Sequence, residues 1–76
     1  MATKSEVINL IKHKITDSEV YVDNLKGEDH LQVTVISSEF NGLSLVKQHK
    51  LVYSALKEEL ASEAIHALAI KTETPN

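Results

Sequence analysis

The chain has no cysteine, no arginine and no tryptophan, and only one proline, one phenylalanine and two glycines among its 76 residues. Without cysteine, no disulfide can reinforce the core, and no thiol can serve as nucleophile or metal ligand. That usage suits a reducing, intracellular setting. Without arginine, the chain lacks the side chain that reads guanine through a bidentate pair, and its eight basic residues, all lysine, are outnumbered by eleven acids. Strong sequence-specific DNA binding is therefore disfavoured, although a local lysine patch can still meet phosphate. No apolar run approaches the ~20 residues needed to cross a bilayer. No lysine-rich tail exists to grip an anionic membrane, and Met1-Ala2-Thr3-Lys4 lacks the apolar stretch of a secretion signal. The cytoplasm is the expected location, with no membrane partner. Proline and glycine are too sparse to mark a linker, and no repeat is visible. One domain over residues 1–76 is expected, burying only ~60–65% of its unfolded surface.

The apolar spacing predicts the elements. Ser5 is the expected N-cap of a first helix, with Val7, Ile8, Ile11 and Ile15 on one face and an end near Lys14. From Glu19 to Leu25, Val20 and Val22 alternate with Tyr21 and Asp23. Lys26-Gly27-Glu28-Asp29 suits a turn, and Leu31, Val33 and Val35 then alternate with Gln32, Thr34 and Ile36. Two strands of a hairpin result. Residues 37–42 connect onward, with Gly42 free to take a positive φ. Ser44 caps a short turn leading into a helix from about Gln48 to Leu60, whose stripe is Leu45, His49, Val52, Leu56 and Leu60. Ala61-Ser62-Glu63-Ala64 closes it, and a last strand runs over residues 65–72. The order αββααβ is an α+β fold: a three-stranded mixed sheet with its helices packed on one face. The first two strands are antiparallel, and the helical crossover suits a parallel third. This is a type II KH-like layout. A Gly-x-x-Gly loop of the kind that clamps nucleotides in KH domains is absent.

Catalytic motifs are also missing. No phosphate-binding glycine pattern occurs, and no Ser–His–acid arrangement can be argued from spacing. Glu58 and Glu59 are helix neighbours and so point about 100° apart, a poor acid–base pair. A non-enzymatic role is expected.

Four fragments then carry a specific signal: Phe40-x-Gly42-x-Ser44-x-Val46, His49-x-x-Val52-Tyr53, Ile65-His66-Ala67-Leu68 and Thr72-x-Thr74-Pro75. Together, in this order, they resemble the signature of the BolA family. There are two departures: Gln48 stands where many members have arginine, and no glutamate and tryptophan follow Pro75. The resemblance implies a partner of monothiol glutaredoxins that shares a 2Fe–2S cluster with them, in iron–sulfur trafficking or iron and stress regulation. In that arrangement the glutaredoxin and glutathione supply sulfur ligands. The BolA-like chain supplies the histidine of the Ile-His-Ala motif and a residue of the first hairpin loop, here His66 and His30. The isolated chain would carry no cofactor. The alternative implied activity is DNA-binding transcriptional regulation through a helix-turn-helix-like segment, residues 40–60, with Lys47, His49, Lys50 and Tyr53 facing the nucleic acid. An adaptor that binds protein without metal is a third class.

Each residue also has a plainer reading. His66 shares the parity of Leu68 and Ile70, which on its own describes a partly buried histidine satisfied by hydrogen bonds. The family context turns that reading toward a ligand, because imidazole binds iron and raises a cluster's potential when it replaces thiolate. His30, after two acids, is by spacing alone a solvated loop residue, and the fold must bring it beside the start of the last strand for it to pair with His66. A protonated imidazole cannot ligate, so cluster binding should weaken in acid. His49 lies on the apolar stripe and His13 on the surface. Lys47, Lys50 and Lys57 suit a solvated helix face first, a protein partner second and DNA third.

Overall fold

Residues 3–24, 30–65 and 67–75 are described by the structure, a computed structural model. The first helix, α1 (Lys4–Lys14), is capped by Thr3 rather than by Ser5. Thr3 Oγ1 accepts from the Glu6 backbone N–H at 3.1 Å, and the Glu6 carboxylate accepts from the Thr3 N–H at 3.1 Å. Thr-x-x-Glu closes two reciprocal bonds, whereas Ser5 has Ile8 at the matching position and can close only one. The bonds to Thr3 hold the Glu6 carboxyl below its ordinary value of 4.5. Lys12, His13 and Lys14 fill the last turn, where the helix dipole favours cations. Val7, Ile11 and Ile15 are buried and Ile8 is half-buried, as the spacing predicts.

Strands β1 (Ser18–Asn24) and β2 (His30–Ser37) pair antiparallel, with Val20 opposite Val35 and Val22 opposite Val33. Leu31, Val33 and Val35 are essentially sealed from solvent, while the residues between them are half-buried. Strict alternation of this kind belongs to a strand covered on one face. The expected Lys26–Asp29 turn and Leu25 lie outside the described residues. Beyond β2, a 3₁₀ turn (Ser38–Phe40) delivers Phe40 to the core at 1% exposure. Gly42 follows with φ +81°. A Cβ there would meet nothing within 4 Å, so glycine serves the backbone angle and not close packing.

Ser44 caps a helix directly, without an intervening turn: its Oγ accepts from the Lys47 N–H at 3.3 Å. Helix α2 (Leu45–Ala55) therefore starts three residues before the expected Gln48, and the helix expected to run on to Leu60 is broken at Leu56. At Leu56 the backbone bonds back to Tyr53 at 3.1 Å, a tightened turn, before α3 (Lys57–Ala61) continues. Leu56 is fully buried and acts as the pivot between the two. The predicted stripe holds at Val52 and Leu56, is half-buried at His49 and Leu60, and fails at Leu45. Leu45 is 62% exposed because it occupies the first turn, ahead of the level at which α2 meets the core.

After α3, Glu63 takes a left-handed φ of 63°, the conformation by which many helices end. The turned chain inserts Ile65 into the core at 1% exposure, and β3 (Ala67–Glu73) follows, beginning and ending slightly later than expected. It lies parallel to β2, with Leu31 opposite Leu68 and Val33 opposite Ile70. The sheet order is β1-β2-β3, and one of its faces, carrying Val20, Val22, Leu31, Val33, Val35, Leu68 and Ile70, packs against the helices. The α+β class, the mixed sheet and the one-sided helix layer are as the sequence predicts. Among the described residues, no helix is long and apolar enough to cross a membrane.

Two measurements test this packing. Leu56→Ala should cost about 2–5 kcal/mol in urea unfolding, while Leu45→Ala should cost under about 0.5 kcal/mol, since only the first leaves a cavity. An NMR titration should place the Glu6 carboxyl midpoint below that of glutamate in a peptide. The folded value is the depressed one, so the cap's contribution is present at neutral pH and fades as pH falls through that midpoint.

Candidate functional site

The parallel pairing of β2 and β3 places the starts of both strands side by side at one end of the sheet. His30 is the first residue of β2 and stands opposite Ala67, the first of β3. Two-residue alternation puts His30 on the face away from Leu31, hence on the side of the sheet not covered by helices. It is half-buried, with the small Ala67 as its neighbour across the strands. His66 directly precedes Ala67 in the chain, but its own placement lies outside the described residues, as do Glu28 and Asp29. The fold thus meets the condition the sequence set for His30: the hairpin end of β2 lies beside the start of β3.

The donors available there test the fit of a shared iron–sulfur centre. No thiol exists in the chain, and among the described residues no group of three His, Asp or Glu side chains is arranged to hold a metal. His30 brings one imidazole to the end of the sheet. Such a donor set suits completion of a centre whose other ligands come from elsewhere, and it does not suit a self-contained site.

The alternative site residues lie apart, on α2. Lys47, Lys50 and Tyr53 are exposed and His49 is half-buried. Tyr53 as a whole is 44% exposed, one of the large hydrophobic residues left on the described surface. Of the two helices in segment 40–60, the second is five residues long and carries Glu58 and Glu59 in its first turn. Those acids oppose phosphate, and Lys57 is the one lysine that α3 adds to the pair on α2. On the open face of the sheet, the Tyr21 hydroxyl donates to Glu19 at 3.1 Å, which raises the phenol above its usual value by favouring its protonated form.

One position had no assigned role in the sequence. The Gln48 side-chain amide donates to the Leu43 carbonyl at 3.0 Å, and its oxygen accepts from the Thr72 hydroxyl at 2.5 Å. Gln48 thereby ties the start of α2 both to the loop before it and to the far end of β3. A glutamine between Lys47 and His49 gives no hint of a partner 24 residues away. The available signal was the threonine facing inward on a strand otherwise apolar on that side.

Comparison with known proteins agrees with the fold. The model of the family described as BolA-like protein matches residues 3–76. BolA-like protein 1 of Bos taurus is 54% identical over 48 residues, which are 63% of this chain and 35% of the bovine protein. The match thus spans about a third of that relative's length. The uncharacterized protein RP812 of Rickettsia prowazekii is 38% identical over 68 residues, 88% of this chain and 87% of that one. The structure of BolA1 from Arabidopsis thaliana superposes with a TM-score of 0.85 at 31% identity, covering 99% of this chain and 94% of that one. The BolA domain of SufE1 from the same plant gives 0.82 at 30% identity, covering 99% and 95%.

If the Gln48 tie holds α2 to β3, Thr72→Val should lower stability by about 1 kcal/mol, the usual net worth of one hydrogen bond. A double-mutant cycle of Thr72→Val with Gln48→Leu should show most of that cost shared between the two positions. Strictly additive effects would mean the bond contributes nothing.

Proposed function

Because the chain belongs to the BolA-like family, we propose that it is a non-enzymatic partner of a monothiol glutaredoxin, completing with His66 and His30 the coordination of a shared 2Fe–2S cluster. The role would lie in iron–sulfur trafficking or in iron and stress regulation. The observation that carries the reading is the register of His30 against Ala67, which sets the hairpin end beside the strand that His66 precedes. Bound there, the cluster supplies redox and iron-transfer chemistry. The chain's own residues have simpler tasks. His30 presents an imidazole nitrogen from the uncovered side of the sheet, and the buried Leu31 beside it fixes that direction. His66 offers the second nitrogen from the neighbouring chain segment. The partner and glutathione provide the thiolates, which agrees with the absence of cysteine in this chain. Nucleophile, base and oxyanion donors are not required for such a role, and the sequence offers no set of them.

Anaerobic reconstitution with a monothiol glutaredoxin, glutathione, iron and sulfide tests this. The visible absorption and circular dichroism should differ from those of glutaredoxin alone. His66→Ala should abolish the difference, and His30→Ala should shift or weaken it. A spectrum indifferent to both substitutions would remove the proposal, and metal-free binding of equal strength would favour the plain adaptor.

A further inference from the structure

Helix α2 differs in charge from the rest of the molecule. The chain as a whole carries −3, yet the sequence of α2, LVKQHKLVYSA, contains no acid. Lys47, Lys50, Leu51 and Ser54 recur at helical spacing on one side of α2, and this side forms a groove against Leu43 and Lys14 at the end of α1. The groove is a shallow, open concavity of about 500 Å³, and its lining is overwhelmingly apolar. Leu43 and Leu51 are half-buried in it, while Lys14, Lys47 and Lys50 are exposed. Lysine stems extend the apolar wall and leave the ammonium groups at the water boundary. Among the described residues, none of the three lysines is engaged in an ion pair. Leu45 and Val46, 62% and 64% exposed, and Tyr53 lie elsewhere on α2 and do not line the groove. Three of the four large apolar side chains exposed on the described surface thus sit on this one helix.

We propose that this groove receives an acidic amphipathic helix from a partner protein. The chemistry selects that occupant. A small molecule needs most of its surface enclosed, and this groove is open to solvent. Duplex DNA would use the lysines but would leave Leu43 and Leu51 without a complementary surface, and no arginine is present to read bases. A helix with a leucine-type stripe flanked by carboxylates satisfies both features at once. Its stripe covers the leucine floor, and its acids meet the three ammonium groups at the rim. The site uses neither His30 nor His66, so it stands apart from the cluster proposal.

The test uses a stapled, fluorescein-labelled peptide of about 18 residues, a length that spans several helical turns, with leucine at i, i+3, i+4 and i+7 and glutamate on both flanks. The comparison probes are its scrambled isomer, a lysine-flanked version and a random-sequence DNA duplex. By anisotropy, the chain should bind the glutamate-flanked helix at least about tenfold more tightly than any of the three. NMR shifts should concentrate at Lys14, Leu43, Lys47, Lys50 and Leu51. The double variant Lys47→Glu/Lys50→Glu, at exposed positions and checked for folding by circular dichroism, should reverse the preference toward the lysine-flanked peptide. The proposal is overturned if no peptide binds, if the scrambled isomer binds equally, or if charge reversal leaves the preference unchanged. Tighter binding of the duplex would instead make α2 a nucleic-acid surface.

Discussion

The fold depends on the burial of one face of β2. As the middle strand it pairs on both sides, and its inward residues Leu31, Val33 and Val35 meet the helix layer. With apolar burial worth about 25 cal/mol per Å², these side chains and those opposite them in β1 and β3 dominate what a chain this small can gain. The same alternation fixes which residues emerge on the uncovered side. A slip of one residue would send Leu31 to solvent and His30 into the core, so the register is held by the most heavily buried strand in the molecule. The orientation of His30 is thus inherited from the core and needs no separate support.

The helices obey a different constraint. The crossover from β2 to β3 must cover the sheet and then return the chain to its starting end. It does so in two pieces, joined at the buried Leu56, and closes with Glu63 in a left-handed turn. Gln48 secures the opposite end of this crossover through Leu43 and Thr72. An arginine at that position would have no carbonyl oxygen with which to accept the threonine hydroxyl. The glutamine therefore supports a local arrangement specific to its own chemistry.

Much of this was legible in the sequence because it rests on periodicity. The alternating valines of β1 and β2, the Val7–Ile11–Ile15 face and the positive φ of Gly42 each follow from a local rule, and the order of elements follows with them. What escaped depends on competition or on distance. Thr3 and Ser5 are both fit caps, and only the glutamate at the right spacing decides between them. Leu45 continues the apolar stripe of α2 in sequence but lies in its first turn, where no core faces it. The break at Leu56 leaves no glycine or proline as a sign. For the candidate site, the approach of the hairpin end to the last strand is a tertiary fact that no spacing expresses, whereas the choice of His66 and His30 came from family resemblance. The groove beside α1 is likewise a product of packing, since Lys14 and Lys47 belong to different elements.

The side-by-side starts of β2 and β3 also have a thermodynamic consequence. They are far apart along the chain, so the unfolded polymer offers no preformed pair of groups there. Any species gripped from both strand starts must therefore bind the native state selectively and draw the folding equilibrium toward it by mass action. At a free concentration a hundredfold above its dissociation constant, that pull amounts to about 2.7 kcal/mol. For a molecule with so thin an interior, occupancy would then be felt as a higher melting temperature, even at positions remote from the contact.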